Sequence, residues 1–164
     1  MKTAAEIMDA EVAAVQPEDD ARKAIDLLAK TDHGAIAVVD ADRKVVGIVS
    51  ESDLVISDEE SDLHLPHYLE IMGGIVFIGS MKGFEHKLEK AFATKVSELM
   101  TADPITAKTF ENADRVAKKI ADSHHNHLPV IDEDGRLAGM VTRADALAAI
   151  VDGDDSSDAS EPSG

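Results

Sequence analysis

Two stretches of the chain set a hydroxyl three residues ahead of a carboxylate, each behind a glycine and two apolar residues. They are Gly47-Ile48-Val49-Ser50-Glu51-Ser52-Asp53 and Gly139-Met140-Val141-Thr142-Arg143-Ala144-Asp145. At the start of a helix, such a pair lies on one face of the first turn. It could close a capping box, in which the two side chains satisfy each other's backbone amides. It could also serve a ligand, because a carboxylate accepts both hydrogen bonds of a sugar diol and first-turn amides attract anions. Spacing alone leaves both uses open.

Other chemistry is thinly represented. The chain has no Cys, which excludes disulfides, thiolate metal sites and Cys nucleophiles. His124, His125 and His127 cluster, and His64 and His67 lie three apart, but no HExxH pattern occurs. No structural metal site is expected; a metal, if any, would be magnesium on acidic side chains or on a bound nucleotide. There is no Ser-His-Asp motif, Walker loop or GxGxxG, so no catalytic residue is assigned. The pairs Asp19-Asp20 and Glu59-Glu60 read as solvated surface. A formal net charge of -17, from 33 acidic and 16 basic residues, repels nucleic acid and anionic membranes, and aromatics that would stack on bases make up only 3%. Such acidity suits either a salt-loving source or an ordinary acidic protein. With no leader-like N-terminus and no apolar run long enough to span a bilayer, the expectation is a soluble, cytoplasmic protein.

The elements that must position the two motifs are themselves repeated. A shift of 92 positions lays residues 5–56 on 97–148 without a gap. Glu6 meets Glu98, Met8 meets Met100, Asp40 meets Asp132, Gly47 meets Gly139 and Asp53 meets Asp145. Each copy reads as a short extended piece (Val12–Val15 or Ile105–Ala107), then a helix with apolar spacing. That spacing is Ala21, Ala24, Ile25, Leu28 in copy one and Ala113, Val116, Ala117, Ile120 in copy two. Two strands follow around an acidic turn, Ala35–Val39 with Val45–Val49, or Leu128–Ile131 with Leu137–Val141. A closing helix begins after Ser50 or Thr142. Each unit is therefore β-α-β-β-α, in the α/β (α+β) class. A unit of this size is marginal alone, so the two copies are expected to pack sheet to sheet about a pseudo-two-fold axis.

The expected organisation is copy one over 1–56, an acidic and then helical insert over 57–95, copy two over 96–151 and a disordered acidic tail over 152–164. In the insert, Leu65, Leu69, Met72, Ile75 and Val76 can share one helical face, and Phe84, Leu88 and Phe92 another.

In order and spacing, the motifs resemble those of a tandem pair of CBS domains, the arrangement called a Bateman module. The residues carrying the resemblance in copy two are Glu98-Leu99-Met100-Thr101, Asp103-Pro104-Ile105-Thr106, His127-Leu128-Pro129-Val130-Ile131-Asp132 and Gly139 to Asp145. In copy one they are Glu6-Ile7-Met8, Ala35 to Asp40 and Gly47 to Asp53. The resemblance implies clefts for adenosyl ligands: AMP, ADP, ATP or S-adenosylmethionine. It implies that Asp53 and Asp145 hold the ribose, assisted by Ser50 and Thr142. The adenine would rest between Pro104, Ile105, Thr106 and Leu128, Pro129 in copy two, and between Val12, Ala13, Ala14 and Ile36, Ala37 in copy one. His127 and Arg143 are the first candidates for phosphate, then His125, Lys44 and Arg136; the histidines would make affinity rise as pH falls. Copy one has Ala35 for His127 and Glu51 for Arg143 and lacks both prolines. Copy two should hold the better site. The implied role is a non-enzymatic sensor acting on an unidentified partner protein as a homodimer, with Leu54-Val55-Ile56 and Ala146-Leu147-Ala148 as contacts. The alternative is a dimerisation module with degenerate clefts.

Overall fold

The computed structural model describes residues 1–51, 94–123 and 126–155. Asp53, His64, His67, His124, His125, the contact segment Leu54–Ile56 and the proposed insert helices lie outside the described residues. In chain order the elements are α1 (Ala4–Ile7), β1 (Ala14–Val15), α2 (Ala21–Leu28), β2 (Ala35–Val39), β3 (Val45–Ser50), α3 (Val96–Leu99), β4 (Thr101–Ala102), β5 (Ala107–Lys108), α4 (Ala113–Ser123), β6 (His127–Ile131), β7 (Leu137–Thr142) and α5 (Arg143–Asp155). This is a mixed α/β fold with two sheets, ordered β1-β2-β3-β4 and β5-β6-β7.

Apolar periodicity accounts for most of it. The helical spacing read in copy one buries Ala21, Ala24, Ile25 and Leu28, and the last three join Val15, Ile36, Val38, Val49 and Val96 in one core. In copy two, Ala113, Val116 and Ile120 are buried, the latter two in a second core with Leu128, Val130 and Val141. Each large apolar side chain buried in this way contributes about 1.5–3 kcal/mol. The first strands start later than expected, at Ala14 and Ala107, because pairing sets in only where β1 and β5 run parallel to β2 and β6. Short helices α1 and α3 precede them, each with a glutamate (Glu6, Glu98) in its first turn.

Each compact unit draws on both copies. One gathers Met1–Val12, Asp42–Val45 and the described residues from Asp103 on; the other gathers Ala13–Ala41 and the described part of Val46–Ala102. In the first, Asp9 bridges antiparallel to Met140. In the second, β4 pairs antiparallel to β3 with Thr101 opposite Ile48. These contacts are equivalent under the 92-residue shift, so the leading segment of each copy packs on the sheet of the other. The glycine of each seven-residue motif is explained here. A Cβ on Gly139 would lie 2.5 Å from the Asp9 carbonyl oxygen and 2.7 Å from Met8 Sδ. On Gly47 it would lie 2.5 Å from Met100 Sδ.

Two details differ from expectation. Ala146 was expected on an exposed contact surface but is fully buried, because α5 turns that position into the second core. Leu147 and Val151, on the outer side of α5, are 53% and 64% exposed. The helix also runs on to Asp155, into the segment expected as disordered tail, and Asp152 there accepts from Lys2 Nζ at 3.0 Å.

Candidate functional site

The end of β7 and the start of α5 bring together most of the residues singled out in copy two. Thr142 is the last residue of β7, and β6 pairs antiparallel to it with His127 directly opposite. Directly opposed residues carry their side chains on the same face, roughly 5 Å apart at Cβ. Asp145 sits in the first turn of α5, where its Oδ2 accepts from the Thr142 amide at 2.9 Å and the Thr142 hydroxyl at 2.7 Å. The Asp145 amide returns a bond to Thr142 Oγ1 at 3.2 Å. The capping box is therefore formed. All of Asp145's bonds from Thr142 fall on Oδ2, which leaves Oδ1 for a donor from outside the cap. Both residues are half-buried, as a group meeting a ligand must be. Arg143 is exposed beside them, its amide bonded to the Asn126 carbonyl at 2.9 Å.

The apolar candidates divide by strand alternation. Leu128 is 1% exposed and packs in the second core, so only its backbone can face a ligand. Pro129, also buried, points to the other side of β6. Ahead of β5, Asp103 takes a left-handed conformation (φ 49°), which Asp tolerates better than most residues, and turns the chain into Pro104-Ile105-Thr106. Pro104 and Thr106 are half-buried, and Ile105 stays 47% exposed although apolar. In copy one, Ile36 and Ala37 are buried, Val12 and Ser50 half-buried and Ala13 exposed; Asp53 lies outside the described residues.

Sequence reasoning missed Lys119. On α4 its ammonium donates to the Thr106 carbonyl at 2.8 Å and to Glu111 Oε1 at 2.7 Å. Glu111 also accepts weakly from the Lys108 amide, at 3.3 Å, and its side chain is 9% exposed. Its Oε2 is buried without a hydrogen bond and faces the Arg115 guanidinium at 3.9 Å, an ion-pair distance too long for one. Under the repeat, Asp19 stands for Glu111 and accepts from the Gln16 amide at 2.8 Å, and that amide holds its carboxyl below the ordinary carboxylate value. Lys119, however, stands where copy one has Leu27. That exchange of a core-facing leucine for a cation was the available signal.

Among the described residues no cluster of three or more His, Asp or Glu side chains could hold a metal, and no helix is long and apolar enough to cross a membrane.

Comparison with known proteins gives the same family twice along the chain: the model described as "CBS domain" matches residues 4–59 and 96–152. An uncharacterised protein of Methanocaldococcus jannaschii is 32% identical over 142 residues, 84% of each chain. Among solved structures, the CBS-pair protein CBSX2 of Arabidopsis thaliana superposes with a TM-score of 0.70 at 22% identity, covering 94% of this chain and 97% of that one. CBSX2 in complex with AMP gives 0.64 at 22% identity, covering 94% and 99%. The cytosolic domain of the Mg2+ channel MgtE in complex with ATP gives 0.63 at 24% identity, covering 90% of this chain and 48% of that one.

Proposed function

This chain belongs to the CBS-domain family, and on that premise we propose that it is a regulatory rather than catalytic module of the cytoplasm whose second copy binds an adenosine nucleotide. AMP, ADP and ATP are the first candidates and S-adenosylmethionine the next, with magnesium entering only on the phosphates. One observation carries the reading: His127, Thr142, Arg143 and Asp145 meet at one strand-to-helix junction, a hydroxyl and carboxylate beside two side chains able to carry positive charge. The structures of CBSX2 with AMP and of the MgtE domain with ATP support it by likeness of fold. Asp145 Oδ1 would take the ribose hydroxyls while Oδ2 keeps the cap, and His127 and Arg143 would meet phosphate. Pro104, Ile105 and Thr106 would flank the base opposite the backbone of Leu128 and Pro129. Copy one, with Ala35 and Glu51 at the two cationic places, would bind weakly or not at all. Signal would pass to a partner protein from a homodimer that uses the exposed Leu147 and Val151.

A second reading has one observation in its favour: the completed capping box already accounts for Thr142 and Asp145. The module would then serve dimerisation alone. Calorimetric titration and thermal melting with each adenosyl compound separate the two. Binding to the native state raises the melting midpoint. The expected result is binding that weakens by roughly tenfold or more in Asp145→Ala, the effect of losing a charge-assisted hydrogen bond. A wild-type protein whose melting no adenosyl compound shifts leaves the dimerisation reading.

A further inference from the structure

We propose that Lys119 is a positioning residue for the ligand segment Pro104–Thr106 of copy two, taking the place of a backbone donor that Pro129 cannot supply, and that it helps set preference for the base. The ligand half of this inference rests on the nucleotide reading above; the positioning half stands on the free protein.

In copy one, β1 begins at Ala14, which pairs with Ala37. In copy two, β5 begins one residue later in the repeat, at Ala107 opposite Val130. That register sets Thr106 level with Pro129. Proline has no N–H to give to a ladder, and there the pairing stops. Directly opposed residues of a parallel ladder do not bond each other, so the donor that Pro129 lacks is the one for the Ile105 carbonyl. The segment is tied one residue further on instead, where the Thr106 carbonyl accepts from the Lys119 ammonium at 2.8 Å. The ammonium is held from the other side by Glu111, whose carboxylate is nearly buried. Copy one needs no such device: Ala37 carries its N–H, and the place of Lys119 is taken by Leu27, packed against the first core. The two exchanges, Ala37 for Pro129 and Leu27 for Lys119, are one change in two parts.

The consequence reaches the proposed ligand through Ile105. That residue is 47% exposed and offers an apolar face just ahead of the clamp. With Thr106 tied to α4, Ile105 is held at a set distance from β6, as a planar base between them would require. Without the tie the segment loosens, and contacts to the base suffer more than contacts to ribose or phosphate.

The test uses the full chain as wild type, Lys119→Met, Lys119→Arg and the double variant Lys119→Met with Pro129→Ala. Amide hydrogen exchange is followed over residues 105–109 of the free protein, and AMP and GMP are titrated by calorimetry. Lys119→Met is expected to speed exchange of that segment by about tenfold or more, the loss of a charge-assisted bond. It should also weaken AMP by roughly tenfold while GMP changes little, so that base preference narrows. Lys119→Arg should recover most of both, and adding Pro129→Ala should slow exchange again, because a ladder donor returns. Unchanged exchange in Lys119→Met overturns the positioning role, whatever the nucleotides do. Faster exchange with unaltered AMP affinity and base preference, in a wild type that binds AMP, overturns the ligand role. A wild type that binds no adenosine nucleotide overturns the reading of the site and the ligand half with it, and the exchange result then decides the positioning half by itself. The double variant guards against a poorly folded single one.

Discussion

At the level where copy one pairs Ala14 with Ala37, copy two sets Thr106 beside Pro129 and ties it to Lys119. At the turn between the paired strands, copy one puts Arg43 in a left-handed conformation (φ 63°) where copy two puts Gly135 (φ 83°). Where the second strand ends, copy one offers Ser50 and Glu51, and copy two Thr142 and Arg143. The apolar positions hardly differ: both cores rest on the same helix and strand pattern. The copies thus share what holds the fold and part where polar groups reach the surface. That is the expected division when one unit keeps a ligand and its twin keeps only the architecture, because core packing tolerates few exchanges and a solvated edge tolerates many.

The largest expected contrast lies in the two motif glycines. Gly139→Ala would drive a Cβ into the Asp9 carbonyl, which is backbone and yields poorly, at a cost of about 3 kcal/mol. Gly47→Ala meets first the end of the flexible Met100 side chain and should cost about 1 kcal/mol. Urea denaturation of the two variants measures both, and equal losses would contradict the account of close approach. Next comes the ligand. Asp145→Ala should lose about 2 kcal/mol of AMP binding, while Ser50→Ala leaves the titration unchanged; a comparable loss in both would restore symmetry between the copies. A smaller contrast concerns the turns. Arg43→Gly relieves a left-handed non-glycine and should stabilise by about 0.5–1 kcal/mol, and Gly135→Ala should destabilise by a similar amount.

The smallest effect is acidic, and it touches both units. The Thr3 amide, followed by the Thr3 hydroxyl, holds Glu6 below its ordinary value of 4.5, and the Gln16 amide holds Asp19 below 3.8. Both carboxylates are depressed in the folded protein. Their contribution is therefore complete above those ordinary values and is lost as pH falls through the folded ones. Melting midpoints should owe nothing to these groups' titration between pH 7 and 5.5 and should fall below about pH 4.5, less steeply in Glu6→Gln. A Glu6→Gln profile parallel to wild type would remove Glu6 from the account.

Much of this was legible beforehand because it is local. The spacing of Ala21, Ala24, Ile25 and Leu28 states which face of α2 is buried, and the helix needs no distant information to obey it. The alternation in β6 states that Leu128 and Val130 face the core. The Thr142–Asp145 pair is three residues apart, and its box follows from helix geometry alone. Misplaced strand starts and the buried Ala146 mark where a local pattern was ambiguous by a residue, and there packing chose.

By itself, then, the sequence determined the repeat, the core positions of each copy, the mixed α/β class and the hydroxyl–carboxylate pair at the head of α5. Only the tertiary structure decided that Met8 closes on Gly139 and Met100 on Gly47, each copy's leading segment lying on the other copy's sheet. It also decided that Lys119, on a helix face that periodicity marks as merely polar, reaches back to the carbonyl of Thr106. The reason is the same in both cases. Helical and strand periods report which side of an element faces inward, over a few residues. Which distant backbone arrives there depends on chain topology, and topology leaves in the sequence only a glycine, a proline or an unmatched lysine.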